Sequence, residues 1–253
     1  TEGASTDWRL GFLGQTRNGT SDRHFLFGQY RLHLGHAWRF FGSAEWDLYA
    51  PAGFTPTGPR ALFASAQWNF ARGWSAFASA DRRAPVLRFA TYDDATLQAM
   101  SERPAQTVLR ARLSGRLGTA HRLTLGWSDR RESSRLGSTG QLQYTWTEIP
   151  RLGGRLSYSA FITSMPLMTS TSQRVAYQRG PVGAHYRMGR SRFEQEGLPI
   201  AVQHYAGAHV RARISEIWQA SASAEAAFQH HQTLLQLQFS LTYRFEHTDD
   251  STQ

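Results

Sequence analysis

The sequence contains no cysteine, no lysine and no long apolar run, and each absence excludes a class of protein. Without cysteine there are no disulfide bonds, thiolate metal ligands or cysteine nucleophiles. No apolar run approaches the ~20 residues that a membrane-spanning helix needs, so a helical membrane protein is excluded. The mean hydropathy of -0.48 is typical of a soluble chain, but a sheet that alternates apolar and polar residues gives the same average.

All 28 basic side chains are therefore arginine, and with 19 acidic residues they give a formal net charge of +9. The arginines are spread along the chain, whereas nucleic-acid-binding surfaces usually gather lysine and arginine into clusters. This distribution predicts no nucleic-acid partner. Genomic base composition is the alternative explanation for part of the replacement of lysine by arginine.

The chain begins Thr1-Glu2-Gly3-Ala4, without an initiating methionine or a charged-then-apolar leader. Such a start is expected of a processed protein or of a domain excised from a longer chain. Its 253 residues are enough for one large all-β domain or for two ordinary globular domains. We expect one domain over residues 1–245, followed by a polar C-terminal tail over residues 246–253.

The dominant hydrophobic period is two, which predicts β-strands. The clearest example is residues 235–245, where leucine and aromatic residues alternate with polar residues; residues 38–46, 109–114 and 218–226 repeat the pattern. Segments of about 9–12 residues have the length of a tilted strand that crosses a bilayer. We predict an all-β fold, a transmembrane antiparallel up-and-down β-barrel of about 14 strands, with 12 to 16 allowed.

The breaks between these segments differ in length, as the short periplasmic turns and longer extracellular loops of outer-membrane barrels do. A short connection at 230–231 falls on the side where long loops are expected. The predicted short turns are 35–37, 71–73, 118–120, 150–154, 180–183 and 215–216. The predicted longer loops are 16–24, 49–59, 82–106, 129–139, 165–172 and 190–199.

All eight tryptophans fall on the apolar side of the alternation, most of them near the end of a segment. Amphipathic aromatic residues in such positions predict a girdle at the membrane interface. A soluble β-sandwich or lipocalin-like barrel would alternate equally well, with its apolar face inward. Segment length, loop asymmetry and tryptophan placement together favour the membrane. The predicted girdle consists of Trp8, Trp38, Trp46, Trp68, Trp74, Trp127, Trp146, Trp218, Tyr243 and Phe245.

The last predicted strand ends in a short motif that is similar to a known one. Tyr243-Arg244-Phe245, preceded by alternating apolar residues, resembles the terminal-aromatic assembly signal of bacterial outer-membrane β-barrel proteins. The resemblance implies a location in the bacterial outer membrane, part of the Gram-negative cell envelope. It also implies two partners, the lipid bilayer and the outer-membrane barrel assembly machinery. The family's aromatic residue normally ends the chain, whereas residues 246–253 follow it here.

A second, shorter similarity concerns the segment Asp81–Arg88. It is similar to a strand-and-loop element of exopolysaccharide export proteins, and implies that the chain is the C-terminal porin domain of such a protein. A periplasmic helical-repeat domain or secretion-complex subunits would then be further partners.

The polar side of the alternation is rich in arginine, and rings of arginine in a pore favour anions. We therefore predict an electropositive lumen, opposed chiefly by Glu45, Asp47, Asp81 and Glu225, with local ion pairs where the third to fifth strands carry their acids. Arg174, His33, His185 and His209 share this side. Arginine networks that only rigidify a filled interior are the alternative. The predicted basic lining consists of Arg31, Arg39, Arg110, Arg112, Arg116, Arg122, Arg155, Arg187, Arg211 and Arg213.

Four phenylalanines also fall on the polar side, one in each of four successive segments: Phe27, Phe41, Phe63 and Phe77. Such an aromatic stripe would let sugar rings stack and slide, because flat apolar faces do not demand one hydrogen-bond pattern. Packing beneath a folded-in loop would explain the same residues.

The longest predicted loop, 82–106, is a candidate constriction of the lumen. It carries Asp93, Asp94 and Glu102, with the two aspartates as an acidic cap before a short helical stretch. An external loop without a role in the pore is the alternative.

Catalytic signatures are missing from the sequence. His230-His231, His204 and Asp93-Asp94 show no triad or acid-pair spacing. Adjacent histidines on a strand also point to opposite faces, which makes a poor metal site. We expect no enzyme, no cofactor and no metal, and do not favour an outer-membrane lipid-modifying enzyme.

The predicted function is an outer-membrane pore that translocates an anionic or sugar-containing solute or polymer, with exopolysaccharide export favoured. A general anion-selective diffusion porin and a non-conducting structural or receptor barrel are the alternatives.

Overall fold

The structure is a computed structural model, and it describes residues 3–48, 58–86, 93, 95, 96, 99, 104–132, 135–194, 199–229 and 232–243. Most of these residues lie in β-strands. No helix in the described part of the chain is long and apolar enough to cross a membrane.

The described residues form 14 β-strands. They are β1 (Ala4–Arg17), β2 (Thr20–Leu34), β3 (Trp38–Asp47), β4 (Pro59–Ala71), β5 (Trp74–Arg83), β6 (Gln106–Leu117), β7 (His121–Glu132), β8 (Arg135–Trp146), β9 (Arg155–Met165), β10 (Met168–Arg179), β11 (Val182–Phe193), β12 (Ala201–Arg213), β13 (Trp218–Gln229) and β14 (Gln232–Tyr243).

The spatial order of the strands is their order along the chain, β1 to β14 in one sheet. Antiparallel neighbours in sequence order make an up-and-down meander, in which each strand pairs with the one before it and the one after it. The predicted fold class, all-β, antiparallel and up-and-down with about 14 strands, is confirmed. Closure of the sheet between β1 and β14 stays a prediction.

Contacts within the chain define two units. The first consists of Thr1–Gly115 with Gly126–Ser138, and the second of Arg116–Leu125 with Thr139–Gln253. Strands β1 to β5 belong to the first unit, and strands β9 to β14 belong to the second.

Strand register gives each unit one apolar and one polar face, because residues directly opposite on neighbouring strands share a face. In the first unit Trp8 lies opposite Tyr30, and Leu10 opposite Gly28. In the second, β14 presents an exposed apolar row that includes Phe239, which is 78% exposed. Large apolar side chains exposed in rows are unusual on a water-soluble surface. These faces have the composition of a surface in contact with hydrocarbon.

The structure corrects the predicted loop at 16–24. β1 and β2 continue through it and are joined at Asn18-Gly19, whose φ angles of 52° and 78° suit a two-residue hairpin turn. The predicted loops 129–139 and 165–172 also lie largely inside strands, with only residues 133–134 and 166–167 between them. The ends of these strands are polar, like loops, but they remain part of the sheet. A prediction from composition alone therefore assigned them to loops.

The other connections follow the expected pattern more closely. Long intervals separate strands at 48–58, 84–105 and 194–200, and short ones at 35–37, 72–73, 118–120, 180–181 and 214–217. The turn predicted at 150–154 belongs to a longer connection, residues 147–154.

Candidate functional site

In the first unit, the polar face of the sheet carries four of the predicted lining arginines. Arg31 lies opposite Phe41, Arg39 opposite Gln67, Arg110 opposite Ser79 and Arg112 opposite Phe77. The period of two alone places them there, because alternate residues of a strand share a face.

In the second unit, the polar face carries four more. Arg155 lies opposite Gln178, Arg187 opposite Gly207, Arg211 opposite Ser221 and Arg213 opposite Gln219. Arg116 and Arg122 are exposed at the ends of β6 and β7 that flank the turn at 118–120. Their role in a pore lining stays a prediction.

A buried ion network lies on the polar face of the first unit. The Nε atom of Arg23 donates to Oδ1 of Asp47 at 2.8 Å, and the Nε atom of Arg60 donates to Oδ2 of Asp47 at 2.8 Å. Arg23 also reaches Glu45, with Nη2 3.3 Å from Oε2. The Asp47 side chain is only 4% exposed. This carboxylate is thus fully committed to two guanidinium groups.

Further carboxylates are paired with an arginine two residues along the same strand, which shares their face. Asp81 accepts from Arg83 Nε at 3.0 Å, and Asp129 accepts from Arg131 Nε at 2.8 Å. In the second unit Glu225 accepts from Nη2 of Arg187.

The ion pairs predicted for the third to fifth strands are present at Glu45, Asp47 and Asp81. Glu225, which carried no predicted pair, is paired with Arg187. Sequence reasoning missed three of the partners, Arg23, Arg60 and Arg83. Arg23 and Arg83 were missed because they fell within the predicted loops 16–24 and 82–106. The i, i+2 spacing of Asp81 and Arg83 was the one signal that could have identified a partner.

The four phenylalanines of the predicted stripe all lie on the polar face of the first unit. Phe41 and Phe63 are in contact, with ring centroids 5.7 Å apart. The guanidinium of Arg31 lies 5.6 Å from the Phe41 ring centre, and that of Arg112 lies 5.7 Å from the Phe77 ring centre. The aromatic residues are thus interleaved with cations rather than continuous.

A concavity of about 360 Å³ opens beside this stripe and the ion network. Flat apolar rings beside carboxylate, amide and guanidinium groups can bind a sugar ring, since the rings stack and the polar groups meet its hydroxyls. The side chains with this chemistry that line the concavity are Phe25, Phe27, Gln29, Glu45, Arg60, Phe63, Asp81 and Arg83.

Three predicted girdle residues of the first unit lie in a contiguous aromatic cluster on the apolar face, near the turns at 35–37 and 72–73. Trp38 and Trp68 stack with centroids 5.1 Å apart, and Phe40 stacks on Trp38 at 5.5 Å. Phe70 lies between Trp68 and Trp74, with its ring centroid 5.0 Å from that of Trp68 and 6.3 Å from that of Trp74. Trp8, Trp46 and Trp127 share the apolar alternation and are exposed.

In the second unit, Trp218 and Tyr243 are in contact with centroids 4.9 Å apart. The His121 and Trp146 ring centroids lie 5.3 Å apart, and a 2.6 Å hydrogen bond joins Nδ1 of His121 and the hydroxyl of Tyr144. Phe245 lies outside the described residues. The interface role of the girdle stays a prediction.

Only one of the predicted constriction residues, Asp93, lies within the described residues; Asp94 and Glu102 do not. The backbone amide of Thr96 donates to Oδ1 of Asp93 at 2.7 Å, as in a helix cap. Hydrogen bonds from the side chain and from the backbone amide of Thr96 lower the pKa of Asp93. Whether the loop narrows a pore stays a prediction.

His204, one of the histidines weighed as a catalytic group, lies opposite Arg190 and Phe228, on the alternation that carries the apolar face of the second unit. His230 and His231 lie outside the described residues. Within the described ranges, no group of three or more histidine, aspartate and glutamate side chains could hold a metal ion.

No protein-family model and no curated protein matches the sequence. Solved structures do match. A bacterial polysaccharide outer membrane secretin is 10% identical, with 96% of this chain and 91% of that chain covered and a TM-score of 0.39. A loop L8 deletion mutant of OmpT, an outer membrane protein of Vibrio cholerae, is 9% identical, with 95% and 99% covered and a TM-score of 0.43.

In-vitro folded OmpT of Vibrio cholerae is 8% identical, with 89% and 87% covered and a TM-score of 0.40. These matched proteins are described as outer-membrane proteins. The fold assignment itself rests on the 14 antiparallel strands and their two faces.

Proposed function

We propose that this outer-membrane chain forms a pore with an electropositive lumen that passes an anionic or sugar-containing solute or polymer. Export of an exopolysaccharide is the form of this function that we favour. A periplasmic helical-repeat domain or secretion-complex subunits would deliver such a polymer. The proposal is one of transport, without a catalytic step, cofactor or metal.

The observation that supports this proposal most strongly is the positive charge on the polar faces, most of which no carboxylate neutralises. Among the described residues, Arg187 alone of the ten predicted lining arginines forms an ion pair with a carboxylate. The buried acids Asp47, Asp81 and Asp129 are paired with other arginines, such as Arg23 and Arg60. Unpaired guanidinium groups that line a narrow path attract anions and repel cations.

The aromatic stripe and its concavity support the sugar-containing part of the proposal. They add flat stacking faces to a charged surface, which small inorganic anions would not need. A general anion-selective diffusion porin would share the arginines but would gain nothing from Phe41 and Phe63 in contact.

Charge selectivity tests the pore directly. In planar bilayers under a KCl gradient, we expect a reversal potential that shows preference for chloride. Substituting Arg31, Arg110 and Arg112 together by glutamine should reduce that preference. Arg192→Gln is the matched control, because Arg192 is already paired with Glu194 at 2.7 Å and lies on the other alternation of β11.

A cation-selective pore would contradict the electropositive lumen. A chain that folds and inserts but never conducts would instead support the non-conducting structural or receptor barrel.

The stripe is tested by block of the ion current with a neutral hexasaccharide, maltohexaose. Phe63→Ala should shorten the blocked periods about two- to tenfold, since an aromatic stacking contact contributes about 0.5–1.5 kcal/mol. Phe239→Ala, on the apolar face, should leave them unchanged. Equal blocked periods in the wild type and Phe63→Ala would exclude a sugar-stacking role for this ring.

A further inference from the structure

A second concavity, of about 380 Å³, lies on the polar face of the second unit. It spans neighbouring strands β8 to β12 and shares no residue with the aromatic stripe. Its floor is open because Ala176 and Gly183 bring almost no side chain to it. The side chains that surround this floor are Arg155, Arg174, Arg211, His185, His209, Ser157 and Ser159.

Strand register explains why these groups converge. Ser157, Ala176, His185 and His209 form one row across β9 to β12, since each lies opposite the next. The adjacent row on one side begins at Arg155 and ends at Arg211.

The row on the other side runs through Ser159, Arg174 and Arg187. A pair of imidazole rings, stacked with centroids 4.8 Å apart, therefore lies between two rows that carry arginine.

The charge of this pocket is uncompensated. Within the described residues, none of Arg155, Arg174 and Arg211 has a carboxylate oxygen within ion-pair distance, and the nearby Glu225 is engaged by Arg187. Three guanidinium groups around one small open floor repel one another. Such an arrangement is stabilised by an anion that they share.

We infer that this pocket binds a compact oxyanion, the carboxylate or phosphate group of a larger solute. Guanidinium groups present paired N–H donors that match the oxygens of both groups. The hydroxyls of Ser157 and Ser159 and the ring N–H groups of the histidines supply further donors. A neutral sugar offers no charge to the pocket. Occupancy does not require conduction, so the site goes beyond the proposed pore.

Binding is tested on the folded chain in detergent, without any current measurement. Isothermal titration calorimetry would use inorganic phosphate, glucuronate and, as the uncharged probe, glucose. We expect phosphate, glucuronate or both to bind, and glucose not to bind. Whichever anion binds identifies the group that the pocket accepts.

Two kinds of variant test whether binding occurs in this pocket. Arg174→Gln and Arg211→Gln should each weaken anion binding about tenfold, the loss expected for a charge-assisted hydrogen bond. Arg192→Gln removes the same charge from the other alternation of β11, outside this pocket, and should leave the affinity unchanged.

Gly183→Leu keeps every charge and fills the floor, so it should abolish binding. A Cβ at Gly183 would meet only the carbonyl oxygen of Tyr177 at 3.8 Å, so the strand accommodates the start of this side chain. The heat-induced gel shift of folded barrels shows whether each variant is folded.

Absence of binding by both anions would overturn the inference, as would equal affinity in the wild type, Arg174→Gln and Gly183→Leu. Because occupancy is measured without current, a chain that binds anions but does not conduct would refute the pore and keep this site. A chloride-selective pore that binds neither anion would support the pore and refute this site.

Discussion

Asp47 is the residue on which the buried charge network of the first unit depends. Its two carboxylate oxygens each accept a 2.8 Å hydrogen bond from a different arginine. Arg23 is itself buried, with 10% of its side chain exposed, and stacks on Phe25 at 4.1 Å. A buried guanidinium depends on its countercharge, since removal of one partner leaves the other desolvated and unpaired.

We expect Asp47→Asn to lower the free energy of unfolding by about 3–5 kcal/mol, the usual cost of breaking a buried ion pair. Urea unfolding followed by tryptophan fluorescence in detergent would measure it. Glu132→Gln is the control; it removes an exposed pair to Arg130 at 3.9 Å, so its effect should stay below about 1 kcal/mol. An unchanged urea midpoint for Asp47→Asn would show that Glu45 alone sustains the network.

At the scale of the strand pair, glycines placed opposite aromatic residues hold neighbouring strands close together. Gly11 lies opposite Phe27, Gly115 opposite Trp74 and Gly189 opposite Tyr205. In each case a Cβ on the glycine would overlap the ring of the opposing residue. The ring covers the glycine. Glycine is therefore required at these positions because a side chain would not fit, and not because the backbone conformation is unusual.

Gly189→Ala is therefore expected to destabilise the chain by about 1–3 kcal/mol, the range for overpacking a close contact. The added methyl group would meet both the Tyr205 ring and the carbonyl oxygen of Thr171, so moving the ring would not relieve it. Gly42→Ala is the matched control, because its Cβ meets only the carbonyl oxygen of Phe63 at 3.7 Å. Equal unfolding midpoints for the two alanine variants would contradict this explanation.

For the molecule as a whole, the eight tryptophans on the apolar alternation give a direct test of membrane insertion. Tryptophans in the bilayer are reached by bromine atoms on lipid acyl chains, whereas those inside a water-soluble sheet are not. We expect strong quenching of tryptophan emission in vesicles of brominated phosphatidylcholine compared with unbrominated vesicles. Emission that is the same in both lipids, from a chain that is soluble without detergent, would contradict an outer-membrane location.

Much of the fold could be predicted because its signal is local. Alternation with a period of two is a property of each segment alone, so strand number and the two faces followed from residues such as those of 235–243. The same parity placed all ten lining arginines, Arg174 and the two histidines, His185 and His209, on the polar faces. Loop boundaries were predicted less well, because Thr16 and Arg23 have loop-like composition but extend a strand.

Only the tertiary structure decided which of these side chains meet. Arg23 reaches Asp47 and Arg60 reaches the same carboxylate because register sets them side by side, across 24 and 13 residues of sequence. Register likewise stacks His185 on His209 and brings Arg155, Arg174 and Arg211 around one open floor. A face is set by alternation within one strand, but a site needs the pairing of several strands. The sequence alone thus determined an arginine-rich polar face, and the pairing of its strands decided where that face holds paired charge and where it is left to bind an anion.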